Sequence, residues 1–273
     1  YRSIFDHMIQ KQTNHLLNEI KNSKDLENKI IGCAAIILAG LCYKINKNYL
    51  EIGLSFLKKI TVSSIDNQGF TRSRNIKQLI FFLKYFVLIR EWFKEAQVEV
   101  PDHIEENIYY FGQGYAFIRQ NIATDLLFNG NNNSNTYDLD NYLKRLGYKF
   151  KNENKDYGGY IILKNKKICL AMDAGSSPNS KYTHDYQSGA LSFEIISNGK
   201  KLITNCGYYK KNNQNLNEIS KSSAVHSTLI IDDNSSCKFT KKRDKLILKT
   251  GLKITQRNSV CEKNYWKISA AHD

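Results

Sequence analysis

Three polar residues with ligand-type side chains bracket one hairpin in the C-terminal third of the chain. Gln187 precedes "LSFEIISNGKKLITN", Asn205 closes it, and His226 follows in "AVHSTLIIDD". One hairpin plus a following strand brings two amides and an imidazole close together, a set that builds hydrogen-bonded networks. A second group is Arg72 and Arg74 in "GFTRSRN". A guanidinium fork pairs bidentately with a carboxylate or a sulfate, and composition alone equally allows a solvated loop arginine.

The elements that position these groups follow from periodicity. Asn198-Gly199 between two alternating apolar runs predicts a tight hairpin. "YIILKNKKICLAMD" predicts another, and "STLIID", "KLILKT", "LKITQ" and "YWKISA" predict further strands. Short strands at this spacing imply an antiparallel sandwich over residues 158–273. Residues 1–122 have the other period. "LENKIIGCAAIILAGLCYKI", "YLEIGLSFLKKI" and "IKQLIFFLKYFVLIREWFKEAQ" carry apolar residues at helical spacing, and Pro101 opens a further helix. Polar, turn-rich "FNGNNNSNTYDLDNY" reads as part of a connection over 123–157. An α half followed by a β half predicts a multidomain chain.

The chain has 273 residues, with 41% hydrophobic residues and a net charge of +14. That charge suits an acidic partner such as a polysaccharide, a nucleic acid or a membrane surface, or else a solvated lysine surface in which no basic run stands out. Nucleic acid is set aside because no RNP strand, zinc finger or similar motif is present. The long apolar run is broken by Lys77, Lys84, Arg90 and Glu91, which argues for a buried helix over a membrane span. Six scattered cysteines form no CxxC pair, and Cys33 and Cys42 read as buried thiols. The absence of a starting Met and the ending "ISAAHD" read as a fragment cut at both ends. Nothing in the sequence signals an oligomeric state.

"GALSFEIISNGKKLITNCG" followed by "AVHSTLIIDDNSSCKF" resembles the C-terminal domain of the heparinase II/III-like family of polysaccharide lyases. "NHLLNEIK" with "AAIILAGL", "DNQGFTRSRN" and "LLFNG" agree with it in order. The resemblance implies an incomplete α/α toroid followed by an antiparallel β-sandwich, with a substrate cleft. It also implies a carbon-oxygen lyase that cleaves a uronic-acid polysaccharide by β-elimination, in the periplasm or cell envelope. The polymer class spans heparin-like, chondroitin-like, alginate-like and bacterial envelope glycans. Such a site neutralises the uronate carboxylate with Asn, His or Arg donors and needs a base and an acid.

By the resemblance, Asn14 and His15 take the family's "NH" position and the first of these tasks, unless they are a helix-surface Asn and a capped His. Arg72 and Arg74 fall in the loop that faces substrate in relatives. The family's catalytic Tyr follows that loop, where this chain has Asn75, Ile76 and Lys77. Tyr85, Tyr109, Tyr110 and Tyr115 have helical, core-type spacing. Asn18 replaces an acidic residue of relatives, and His184 stands near a family His but out of register. Relatives hold a cation, usually zinc, with a His, an Asp and a His at the positions of Gln187, Asn205 and His226. Zinc sites are built from thiolate, imidazole and carboxylate. Two amides therefore predict a metal-free hydrogen-bonded cluster with no cofactor, or else a weak, water-rich divalent-cation site. Strand alternation turns Cys206 to the opposite face from Asn205. The alternative to a lyase is a non-catalytic glycan-binding member that has lost base and metal.

Overall fold

The computed structural model describes residues 2–43, 48–119, 122, 124–132, 137–209, 214–242 and 245–273. The chain divides into two compact units, Tyr1–Gly69 with Ile80–Phe111, and Phe70–Leu79 with Gly112–Asp273. The sequence boundaries at 122 and 158 do not coincide with this division.

The first unit is helical. Helices α1 (Arg2–Asn22), α2 (Leu26–Cys42) and α3 (Asn48–Ser64) precede α4 (Ile76–Glu95) and α5 (Asp102–Arg119), which contribute most of their lengths. Asp25 caps α2, its carboxylate accepting from the N–H groups of Glu27 (2.8 Å) and Asn28 (3.3 Å). The apolar stripes seen in the sequence converge on Ile30, Ile37, Leu57, Phe82, Phe86 and Phe111, all fully buried. No described helix is long and apolar enough to cross a membrane. Cys33 is buried as expected, but Cys42 is exposed, because it ends α2 where the apolar stripe runs out.

The second unit holds helix α6 (Tyr137–Arg145), within the stretch read as a connection, and then the strands. Antiparallel strands β1 (Asp156–Tyr157), β2 (Tyr160–Lys164), β3 (Ile168–Asp173), β4 (Phe193–Ser197) and β5 (Lys200–Ile203) pair in sequential order. Helix α7 (Gln214–Ser220) follows. Two further ribbons are β6 (Lys238–Lys242) with β7 (Lys245–Thr250), and β8 (Ile254–Cys261) with β9 (Trp266–His272). The predicted hairpin is present: Asn198 and Gly199 have φ of 48° and 77°, and Ser197 faces Lys200. The predicted strand "STLIID" is not. Its only described ladder feature is the bridge Ile231↔Asn234. Leu229 is 79% exposed, so the run lacks the buried face that fixes a strand in register.

Candidate functional site

From Phe70 on, the loop "GFTRSRN" lies in the second unit, and its two arginines part company. Arg72 is exposed in a turn. Arg74 has a left-handed backbone (φ 57°) and is only 7% exposed. Its Nη1 donates to the carbonyls of Gly175 (2.8 Å) and Ser176 (3.2 Å), and Nη2 donates to the Gly159 carbonyl (2.9 Å) and to Asp173. The guanidinium also lies 4.9 Å from the centroid of the Tyr160 ring. A Cβ on Gly159 or Gly175 would approach it to 2.7 Å or 2.4 Å, so both positions must lack a side chain. Burial opposes the Arg74 charge, but the Asp173 carboxylate outweighs it and holds the group charged. The expectation that Arg74 meets a substrate anion is corrected: its anion is Asp173, and only Arg72 of the pair is left outward.

Asn129, from "LLFNG", completes this cluster. Its Nδ2 donates to Asp173 Oδ2 (2.6 Å) and to Tyr160 Oη (3.0 Å), and the Tyr160 hydroxyl donates to the Arg74 carbonyl. Asp173, at the end of β3, thus serves as the structural anion of this cluster.

The hairpin residues are all buried. Gln187 Oε1 accepts from Gly130 N–H (3.1 Å), and its Nε2 donates to the carbonyls of Gly207 (3.1 Å) and Ser220 (2.6 Å). His226 Nε2 donates to the same Ser220 carbonyl at 3.2 Å, so that nitrogen carries the proton. Asn205 Oδ1 accepts from Ser227 N–H at 3.1 Å, which ties the hairpin to the segment after His226. Gln187 and His226 therefore meet through one carbonyl, and Asn205 joins them through the residue after His226. Burial holds His226 below the ordinary imidazole value. The imidazole reaches an open groove of about 450 Å³ that also involves Phe193, Ser227 and His272.

A zinc ion does not fit this donor set. Reversing either amide would set N–H against N–H, at Gly130 for Gln187 and at Ser227 for Asn205, so the assignments are fixed by the network. The cluster holds no anion, and the Asn205 backbone N–H is taken by Glu194 Oε1 at 2.9 Å. The buried atom of the cluster left without a partner among the described residues is Asn205 Nδ2, a donor that repels a cation.

Asn14 and His15 belong to the first unit, sit within α1 and are both exposed. Tyr49 Oη donates to Asn14 Oδ1 at 2.7 Å, which leaves the Asn14 Nδ2 end as the donor. His184 is exposed and pairs with Asp185 (2.6 Å).

Two contributors were missed in the sequence. Glu194 of "LSFE" is fully buried and accepts from Leu127 N–H (3.2 Å), Thr204 Oγ1 (2.9 Å) and Lys201 Nζ (3.2 Å) as well as Asn205. Lys221 is 3% exposed and donates to the carbonyls of His184 (2.6 Å) and Tyr186 (3.1 Å), with the Phe239 ring 5.0 Å away. Burial pushes its ammonium down to about 8. No periodicity marks either residue. The single signal was the "LSFE" motif itself, where a carboxylate interrupts an apolar strand.

With this geometry in hand, the relationships of the chain are informative. Residues 152–273 match the family model Heparinase II/III-like, C-terminal. Among curated proteins none matches the chain. A crystal structure of heparinase III aligns with 96% of this chain and 47% of its own, at 15% identity and a TM-score of 0.69. A mutant of the heparan sulfate lyase HepC from Pedobacter heparinus aligns with 90% of this chain and 43% of its own, at 12% identity and a TM-score of 0.67. The chain therefore spans less than half the length of these solved structures. At such identities the likeness establishes the fold, and the class expected from the sequence holds: an incomplete α/α toroid followed by an antiparallel β-sandwich.

Proposed function

We propose, from the premise that residues 152–273 form a heparinase II/III-like C-terminal domain, that this protein engages an anionic polysaccharide and cleaves its uronic-acid linkages by β-elimination. The domain match is the observation that carries the reading, and the net charge of +14 suits a polyanion. In this reading Asn14 Nδ2 and His15 neutralise the uronate carboxylate, and Arg72 contributes a guanidinium to substrate binding. Elimination needs that neutralisation most in the transition state. Asn14→Ala and His15→Ala are therefore expected to lower kcat by about 100- to 1,000-fold with a smaller change in KM, followed by the near-ultraviolet absorbance of the unsaturated product. Losses below about tenfold in both variants would remove these residues from the site.

The second reading is a glycan-binding protein without catalysis, and one observation favours it. Where the family places its tyrosine, Asn75 spends its amide on Asp185 (3.1 Å) and on the N–H of Gln78 (3.1 Å), and Ile76 is 1% exposed. Burial pushes the phenols of Tyr115, Tyr160, Tyr186 and Tyr208 up, so none of the four is a ready base. Binding without any unsaturated product across a broad panel of uronic polymers would select this reading.

Both readings take Gln187, Asn205 and His226 as a metal-free structural cluster. Protein purified without chelator is expected to hold far less than one zinc per chain, with a Tm indifferent to chelator. One zinc per chain, lost on His226→Ala, would overturn this assignment and restore a cation site.

A further inference from the structure

Asn-Gly occurs twice in the chain, at Asn129-Gly130 and at Asn198-Gly199, and the fold treats the two pairs in opposite ways. The pair matters chemically because glycine has no Cβ to shield its amide nitrogen from the side chain of the asparagine before it. Attack of that nitrogen on the asparagine Cγ closes a cyclic imide.

At Asn129 both reacting groups are held. The residue is 2% exposed, and its Nδ2 donates to Asp173 Oδ2 (2.6 Å) and to Tyr160 Oη (3.0 Å). The Gly130 nitrogen, which would attack, donates to Gln187 Oε1 at 3.1 Å. Closing the ring there requires opening the buried cluster around Asp173.

At Asn198 the same groups face water. Asn198 and Gly199 are exposed at the tip of the β4–β5 hairpin, and Asn198 Nδ2 has only a 3.5 Å contact with Ser197 Oγ. Among the described residues no backbone acceptor takes the Gly199 N–H. Ring closure needs the tip to rotate out of its turn, and little opposes that. Strand β5 is the edge of its sheet, and beyond the β4–β5 ladder the tip is tied by Asn198 N–H, which donates to the Lys167 carbonyl at 2.7 Å. The exposed Lys167 and Lys200 flank the tip with positive charge, which favours the deprotonated nitrogen.

We infer that Asn198 is a site of spontaneous covalent modification, where the hairpin tip converts to isoaspartate and aspartate with water as the co-reactant. The Gly199 nitrogen gives up its proton to solvent and bonds to Asn198 Cγ. The Cγ–Nδ2 bond breaks, and Nδ2 takes up a proton and leaves as ammonia. Water then opens the imide at one of two bonds. Cleavage between Cγ and the Gly199 nitrogen leaves aspartate in the normal chain. Cleavage between the Asn198 main-chain carbonyl and that nitrogen leaves isoaspartate, with the chain routed through Cγ. Either product replaces a neutral amide by a carboxylate and lowers the net charge of +14 by one. Isoaspartate also inserts a carbon into a turn whose residues, at φ 48° and 77°, set the register of Ser197 with Lys200. The same hairpin carries Glu194 and leads into Asn205, so a disturbed register loosens buried bonds. The assignment is independent of the polysaccharide reading.

The test is to age the folded protein for days near physiological temperature and pH, and in parallel the protein unfolded in urea. Peptides spanning both pairs are then quantified by mass spectrometry, with isoaspartate distinguished from aspartate. In the folded protein Asn198 is expected to react at least about tenfold faster than Asn129, because the buried pair reacts only on opening. In urea the two rates are expected to fall within about threefold of each other, since both asparagines precede glycine. Isoaspartate is expected to exceed aspartate at position 198, and the less basic form on cation exchange is expected to be absent from aged Asn198→Gln, whose longer side chain does not close the same ring. The isoaspartate fraction is expected to melt at least about 2 °C below fresh protein. Equal rates at the two pairs in the folded protein would overturn the assignment, as would aspartate without isoaspartate or the same less basic form in Asn198→Gln. An isoaspartate fraction with the Tm of fresh protein would overturn the disturbance of the hairpin.

Discussion

Replacing Arg74 by methionine is expected to lower the stability of the protein by about 3–5 kcal/mol, the cost of stripping one partner from a buried ion pair. The reason lies in what Asp173 would lose. Its carboxylate is almost wholly buried and is bonded by Arg74, by Asn129 Nδ2 at 2.6 Å and by Gly175 N–H at 3.4 Å. Without the guanidinium, a charge remains in a site built for a pair, and the carbonyls of Gly159, Gly175 and Ser176 lose their donor. Asp173→Asn is expected to cost a comparable amount, because the amide leaves the buried guanidinium charge unbalanced and sets an N–H group against either Arg74 or Asn129. Pairing Arg74→Met with Asp173→Leu is expected to recover much of the loss, since apolar replacements of both partners remove both buried charges together. Chemical denaturation midpoints measure all of this, and a cost below about 1 kcal/mol for Arg74→Met would show the pair to be incidental.

Lys221 makes the second large effect one of pH. Its ammonium titrates at about 8 in the folded chain against 10.5 in its ordinary state. Below about pH 8 the folded protein carries a buried charge that the unfolded chain holds in water, so folding is opposed by the full penalty. Between that pH and 10.5 the unfolded chain binds a proton that the folded one has released, and stability gains with rising pH. Above both values the penalty is gone. The gain amounts to about 3 kcal/mol, at about 1.4 kcal/mol for each pH unit separating the two values. Buried thiols such as Cys33 and Cys169, pushed up to about 12 and about 11, act in the opposite sense, so Lys221→Met is the necessary reference. The stability of wild type relative to Lys221→Met is expected to climb across this window. A difference that stays flat would mean that Lys221 keeps its charge in water.

Local rules carried the sequence a long way toward the fold. Asn198-Gly199 announced its hairpin because only residues tolerant of positive φ close a two-residue turn, and α2 to α5 were visible as apolar stripes. "STLIID" misled because alternation records propensity, whereas Ser227 and Thr228 are held by side-chain bonds to Asn205 and to the Ala190 carbonyl. Arg74 misled for a different reason. Its partner lies 99 residues away, and nothing in "TRSRN" tells an arginine that meets a ligand from one that meets Asp173. The two glycines that admit its guanidinium stand in ordinary turn contexts. Nothing in polar "SKSSAVHS" marks Lys221 as buried, for the same reason: burial is a long-range fact. Gln187, Asn205 and His226 were legible as neighbours, but the shared Ser220 carbonyl was not, because it comes from α7.

Elimination and hydrolysis leave chemically different ends, and this difference tests the proposed activity most directly. Full-length protein is incubated with a defined uronic-acid oligosaccharide, and the masses of the fragments are measured. The proposed β-elimination predicts a fragment from the non-reducing side that keeps its full mass, and a partner with an unsaturated uronate end that is lighter by one water than the hydrolysis product. Fragments that both carry the mass of hydrolysis, or intact oligosaccharide despite saturable binding, would contradict it.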